Sequence, residues 1–332
     1  MYCINESYQE DFYQSNIYRF YFGDLKIGVI DIETTGLSPD RSQCILGGIV
    51  LPQESGKKVY QFLAENREEE REVLRTYLKE WQDLDVVVSY NGDHFDLPFL
   101  SRRARYHRIP REELPVFLSI DLYRILDKHS PFRKMLPNLK QKTVENFLGL
   151  WSDRADEISG GESVEMYYRY ARTGDPHLRD TILLHNRDDL LQLSRLIKVF
   201  DKLDLHRIAF HTGFAVTSGE KKAYIRKLAF QKEIFTISGI HKNTSLDYRS
   251  YHESHEAFFS SKQKDFTVRV PMKNLNGYHC VDLEEFPYPL GDLEKYPGYQ
   301  SGYLLMGKQD EVNYGETNHL AKLILSEILK EV

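Results

Sequence analysis

The sequence predicts an α/β fold: a mixed five-stranded sheet with flanking helices over residues 1–204, then a β-rich C-terminal domain or appendage over 205–332 that ends in a helix. Three observations carry this expectation. Strand-like runs come first and then alternate with helical ones, the order that gives a mixed sheet covered by helices. One early run, 25–32 (LKIGVIDI), is apolar on both faces, as a covered central strand must be. Past residue 205 the texture changes to short alternating segments rich in turn residues.

In chain order, 17–22 (IYRFYF) reads as a strand and Gly23-Asp24 as the turn of a hairpin into the central strand. Gly36 and the cluster Ser38-Pro39-Asp40 end that strand. Residues 43–51 (QCILGGIVL) and 57–63 (KKVYQFL) continue as a meander. Residues 67–82 form an amphipathic helix, with Leu74, Leu78 and Trp81 at helical spacing and acids in the first turns. A short buried strand follows at 85–90, a helix at 95–108 that tolerates Pro98 early, and a fifth strand at 117–121. Helices are expected at 138–148 and 178–202. Beyond 205, the segments 234–240, 266–270 and 302–306 read as strands. Residues 317–331 form an amphipathic helix with Leu320, Leu323, Ile324 and Leu329 near one face.

Composition excludes several classes. The 332 residues are 41% hydrophobic and 28% charged, which is globular and not disordered. A net charge of -6 is not that of a basic nucleic-acid coat, so local charge must be read instead. Cys3, Cys44 and Cys280 are far apart, suggesting neither a zinc site nor a disulfide framework and fitting a reducing cytoplasm. The N-terminal residues lack the basic start and apolar core of a signal peptide, and no apolar run nears the ~20 residues of a membrane helix. Neither a P-loop nor a cysteine nucleophile motif is found, which removes the corresponding nucleotide hydrolases and phosphatases.

The chemistry lies in the acids. Asp31 and Glu33 sit two apart at the end of the central strand, so both point to one face. Two adjacent carboxylates repel, and a divalent cation between them removes the penalty. All-oxygen ligands suit Mg²⁺ or Mn²⁺. Thr34, Thr35, Gly36 and Leu37 follow, small enough around the glycine for a nucleotide to approach the backbone. Asp96 falls in the first turn of a helix after a buried strand and the turn Asn91-Gly92-Asp93, with Phe95 before it. Alone, Asp96 would read as a helix-start acid and Asp93 as a turn residue or N-cap. His185 and Asp189 share a helix face at i, i+4. Asp188 is adjacent, and the i, i+4 geometry favours Asp189. Asp121, at the end of the fifth strand, reads as second-layer or structural.

Taken together, IDIETTGL, the segment from Asn91 through Phe95-Asp96-Leu97 to Leu100, and HNRDDLLQL resemble the three motifs of DEDD-type 3′–5′ exonucleases of the RNase H-like superfamily. With Leu139-Lys140, Thr143-Val144-Glu145 and Phe147-Leu148-Gly149-Leu150, residues 25–202 are similar to a bacterial group of predicted exonucleases of that superfamily. One departure is visible. His185 has the chemistry of the histidine branch but the three-residue spacing of the tyrosine branch. The resemblance implies an RNase H-like sheet and metal binding by Asp31, Glu33, Asp96 and Asp189. It also implies two Mg²⁺ or Mn²⁺ ions roughly 3.5–4 Å apart at a phosphodiester, and His185 as general base, imidazole being the side chain suited to taking a proton at neutral pH. The implied substrate is a single-stranded 3′ end of DNA or RNA. The alternatives on the same fold are a weak or inactive nucleic-acid-binding protein and a metal-dependent endonuclease.

Two basic stretches are candidates for holding a strand. Residues 101–142 carry 11 Lys and Arg against four Asp and Glu, with Arg102 and Arg103 nearest the second motif. Residues 221–242 carry six against one, with Tyr224, Phe230 and Phe235 interleaved, the composition of a stacking groove or of a core strand.

Overall fold

The computed structural model describes residues 1–150, 158, 160–245, 247–309 and 311–332. The chain divides into two compact units, Met1–Asn16 with Leu25–Leu203, and Ile17–Asp24 with Asp204–Val332.

In the first unit, β1 (Tyr2–Tyr8) precedes α1 (Asn16–Phe22), whose residues after Asn16 group with the second unit. Then come β2 (Ile27–Thr34), β3 (Cys44–Pro52), β4 (Lys57–Leu63), α2 (Glu70–Glu80), β5 (Val86–Ser89), α3 (Asp96–Tyr106) and β6 (Leu118–Asp121). Helices α4 (Leu122–His129), α5 (Phe132–Met135), α6 (Gln141–Phe147), α7 (Gly160–Thr173) and α8 (Pro176–Leu196) complete it. The sheet order is β1-β4-β3-β2-β5-β6. The meander pairs antiparallel, whereas β2-β5 and β5-β6 are parallel. Val29, Ile30 and Ile32 of β2 are buried on alternating faces, the pattern expected of a covered central strand. Val73, Leu74, Tyr77, Leu78 and Trp81 recur at helical spacing and bury the inner side of α2 against β3.

The five expected strands are present, and β1 adds a sixth at the edge. Its sequence YCINESY alternates half-buried and exposed residues, the mark of an edge strand and a weak signal by sequence alone. Helix α7 was not anticipated either. Helix α8 starts at Pro176 because the Asp175 side chain caps the His177 N–H at 2.9 Å and proline is tolerated at the first position.

One expectation is corrected: 17–22 is helical. Tyr18, Tyr21 and Phe22 are buried at i, i+3 and i+4 spacing, and the Gly23 N–H donates to the Arg19 carbonyl at 2.9 Å to close the turn. An aromatic run read as a strand therefore folds as a helix because its rings gain burial on one side only. Tyr21 meets His206 Nδ1 at 2.7 Å and accepts from Asn318 Nδ2 at 2.8 Å, both within the second unit.

The second unit contains α9 (Leu205–Thr212), then β7 (Ala215–Ser218), β8 (Lys221–Gln231), β9 (Ile234–Lys242), β10 (Tyr248–Tyr251), β11 (Glu256–Phe259) and β12 (Asp265–Pro271). These strands form a sheet in the order β10-β11-β12-β9-β8-β7. A smaller sheet is built from β13 (Lys273–Leu275), β14 (Tyr278–Asp282), β15 (Tyr299–Gln300), β16 (Tyr303–Lys308) and β17 (Glu311–Val312), followed by α10 (Tyr314–Glu331). Tyr224 and Phe235 are core residues, and Phe230 is half-buried with its ring 5.3 Å from that of Phe235. The stacking groove composed of those three aromatics is not there. Phe230 and Phe235 belong to the inner side of the sheet, whereas Tyr224, opposite Ile240 and before the bulge in β8, is buried on the other side.

Candidate active site

The site grows from the C-terminal end of β2. Asp31 and Glu33 stand opposite Gly48 and Leu46 of β3. A Cβ at Gly48 would overlap Asn186 Oδ1 and Leu190 Cδ1 of α8, so any larger residue there would displace those side chains. The absence of a Cβ lets α8 approach the sheet closely. Asn186 Nδ2 then donates to Asp31 Oδ2 at 2.7 Å, while Asn186 Oδ1 accepts from Gln61 Nε2 at 2.8 Å. Gln61 also donates to the Leu183 carbonyl at 2.9 Å, so β4 fixes the helix that fixes the acid. One residue before Asn186, His185 Nε2 lies 3.6 Å from Glu33 Oε1 and 3.8 Å from Asp189 Oδ2.

Asp96 arrives from the other side. Asn91, at φ 65°, turns the chain out of β5. Asp121 accepts the backbone N–H groups of Asn91 at 2.8 Å and Asp93 at 3.1 Å, and that of Arg124 at 3.3 Å. Asp121 is thus a clamp on the turn that delivers Asp96. Asp93 accepts from Ser119 Oγ at 2.6 Å and pairs with Arg124. Asp96 is buried at the start of α3, with the N–H of Ile32 helping to hold its carboxylate.

The acids feel one another. Burial raises the Asp31 carboxyl well above the usual carboxylate range, and repulsion from Asp96, Asp189 and Glu33 adds to the shift. The Asn186 hydrogen bond opposes it. Burial pushes Glu33 up to about 7, with His185 pulling down and Asp189 and Asp96 pushing up. Burial likewise pushes Asp96 up to about 7. Among the described residues no three His, Cys, Asp or Glu side chains are gathered into a ready-made ion cage. Even so, a set of mutually repelling carboxylates, Glu33 and Asp96 buried and Asp31 and Asp189 half-buried, is the donor chemistry that a hard divalent cation satisfies.

Asp188 is oriented differently from Asp189. It is buried, 3.7 Å from Arg187 Nε, and its charge acts on Tyr8 of β1. Thr34 is buried with Oγ1 donating to the Gly36 carbonyl at 2.9 Å, and Thr35 Oγ1 accepts the Gln43 N–H at 2.9 Å. Leu37 is 84% exposed. Phe95 packs on Phe99 at 5.6 Å between ring centres. Arg102 is half-exposed and donates to Asp40 at 2.7 Å, joining α3 to the loop after β2. Arg103 is a correction. It is buried, bonded to Glu70 through Nε at 2.7 Å and Nη2 at 2.5 Å, and to the Pro39 carbonyl at 3.0 Å, so its fork faces the protein and not a phosphate.

Sequence reasoning missed Gln61, Asn186 and Gly48. Asn186 is legible only as the neighbour of His185 in HNRDD. Gln61 has no local signal, because its partners are 122 and 125 residues away.

The family model of the RNase H superfamily matches residues 29–200, a span that holds Asp31, Glu33, Asp96, His185 and Asp189. The chain belongs to the RNase H superfamily. RNase H-like nucleases generally use divalent metals, and this member's buried acids meet that requirement in donor type. Within the superfamily it is similar to the uncharacterized protein YprB of Bacillus subtilis, 30% identical over 170 residues, covering 50% of this chain and 40% of YprB. An uncharacterized protein of Methanocaldococcus jannaschii is 27% identical over 175 residues, 52% of this chain and 93% of that protein. A DNA polymerase of Pyrococcus glycovorans is 36% identical over 92 residues, 24% of this chain and 12% of the polymerase. The chain thus spans less than half of YprB and nearly all of the Methanocaldococcus protein. No helix among the described residues is long and apolar enough to cross a membrane.

Proposed function

We propose that this RNase H superfamily member is a metal-dependent 3′–5′ exonuclease that hydrolyses phosphodiester bonds at the 3′ end of single-stranded DNA or RNA. The observation that carries the reading is the convergence of β2, α3 and α8, which brings Asp31, Glu33, Asp96 and Asp189 within electrostatic reach, with the His185 imidazole 3.6 Å from Glu33 and 3.8 Å from Asp189. The similarity to a DNA polymerase supports nucleic acid as the substrate class.

In this reading Asp31, Glu33, Asp96 and Asp189 would hold two Mg²⁺ or Mn²⁺ ions, which would supply positive charge at the phosphate and Lewis acidity toward water. His185 Nε2 accepts the proton of the attacking water. The water oxygen bonds to phosphorus as the P–O3′ bond breaks, giving a nucleoside 5′-monophosphate and a strand one residue shorter, whose 3′ oxygen takes a proton from solvent. Thr34, Thr35, Gly36, Leu37, Asn91, Phe95 and Arg102 surround the terminal nucleotide.

The test uses 5′-labelled single strands with Mn²⁺. Wild type should give a descending ladder, Asp189→Ala none, and His185→Ala a rate on the order of 10²–10⁴ lower. Equal speed for His185→Ala would remove it from the mechanism. Cleavage of strands blocked at the 3′ end would replace the exonuclease with an endonuclease. No product, together with no Mn²⁺-induced thermal shift, would leave a nucleic-acid binder.

A further inference from the structure

The aromatics of the basic stretch 221–242 are withdrawn from solvent, Phe230 and Phe235 on the core side of the sheet and Tyr224 on the other, yet beyond the β8 bulge that other side opens at Lys227 and Ser238. Strand register lines up one row across five strands. Arg249 of β10 is opposite Phe258 of β11, Phe258 opposite Thr267 of β12, Thr267 opposite Ser238 of β9, and Ser238 opposite Lys227 of β8. Arg249 and Lys227 are exposed, and the three residues between them are half-buried. On the other face Phe259, Phe266, Val268, Phe235 and Ile237 form the core. The row therefore reads cation, aromatic, hydroxyl, hydroxyl, cation on a solvent-facing surface, and spans about 19 Å at the usual strand spacing.

Three further observations point the same way. A cavity of about 280 Å³ opens beside the row, lined by Arg249, Phe258 and Thr267 together with Gln263 and, at its rim, the carboxylates of Asp247 and Asp265. Tyr251 is 65% exposed, and its ring stands edge-on to Phe258 with centroids 5.5 Å apart and planes at 83°. Residues 215–271 carry ten Lys and Arg against six Asp and Glu, in a chain whose net charge is -6. The acids on this face, Asp247, Glu256 and Asp265, lie off the row; Asp247 accepts from the Ser261 N–H and hydroxyl at 2.7 and 2.9 Å and feels the Arg249 charge, and Glu256 is engaged by Arg269 at 3.6 Å.

We infer that this sheet face is a second binding surface for single-stranded nucleic acid, apart from the β2–α3–α8 site. Arg249 and Lys227 contact phosphates, Phe258 stacks a base at the cavity, and Thr267 and Ser238 offer hydroxyls between them. A ring on an open sheet stacks any unpaired base but cannot reach the face of a paired one, so the occupant is a single strand. The inference shares the substrate class of the proposed function but not its catalysis.

Fluorescence anisotropy of labelled 12-mer dT and U strands tests it, on the full chain in EDTA at low salt. Wild type should bind single strands more tightly than a duplex of the same length. Arg249→Ala with Lys227→Ala should weaken binding about tenfold or more and reduce the salt slope by roughly 1.4, the effect of two phosphate contacts on a single strand. Phe258→Ala should weaken it about tenfold and Phe258→Tyr should restore it. Both exposed basic residues are replaceable without touching the core, so the double variant decides the matter if Phe258→Ala unfolds. Wild-type affinity and slope in the double variant, equal binding of duplex, or no binding of any strand would each overturn the inference. Loss of Mn²⁺-dependent shortening with strand binding intact would sink the exonuclease reading alone.

Discussion

Asp96 shows what the site costs the protein without a cation. Its carboxyl gives up a proton near pH 4 in the unfolded chain and near 7 in the folded one, because burial disfavours the charge. Across that window rising pH stabilises the unfolded state relative to the folded one. Asp96→Asn does not titrate. In EDTA its stability relative to wild type should therefore rise from pH 4 to pH 7 and stay level above, by on the order of 2–4 kcal/mol. Urea melts of both proteins at pH 5 and pH 8 check this, and a pH-independent difference would contradict the buried, uncompensated acid. Asn186 works in the opposite direction. Its amide, held by Gln61, is the neutral group that eases Asp31.

At the level of elements, the decisive contacts are those that bring α8 and α3 to β2. Gly48→Ala puts a methyl where Asn186 and Leu190 sit. It should lower stability by about 1–3 kcal/mol and cut cleavage more than thermal unfolding alone explains, because α8 carries both His185 and Asp189. Normal activity in a folded Gly48→Ala protein would show that the helix position is not critical. Arg103 ties α3 to α2 through Glu70, which also meets His107 Nε2 at 2.8 Å and accepts the Cys44 N–H at 2.9 Å. Both partners of the pair are buried. Arg103→Met should thus cost about 3 kcal/mol, as breaking a buried pair does, while leaving strand affinity at its wild-type value. A strong loss of affinity with unchanged melting would return Arg103 to the phosphate.

For the whole molecule, a net charge of -6 conceals an uneven distribution. Residues 215–271, which hold the sheet of β7 to β12, carry ten Lys and Arg against six Asp and Glu, so the net negative charge falls on the rest of the chain. Mn²⁺ should raise the melting temperature of the full chain and not that of Asp31→Asn. Saturation at 100 times Kd corresponds to about 2.7 kcal/mol of added stability. A shift of the same size in the variant would place the ion elsewhere.

The sequence by itself determined the α/β architecture of the first unit, five of the six strands of its sheet, and the acids at the end of β2, at the start of α3 and within α8. Those features are written in local patterns: period-two and period-3.6 burial, turn residues, and acids at fixed spacing. Tertiary structure alone decided four others. The 17–22 run became a helix because its aromatics found partners 185 and 297 residues on. Arg103 turned inward because Glu70 was waiting for it. Tyr224 and Phe235 went to the core while Phe258, which carried no signal, took the open face. Gln61 reached Asn186 across 125 residues. The physical reason is the same each time. A side chain's periodicity reveals that it faces something, but the identity of that partner depends on contacts between elements distant in the chain.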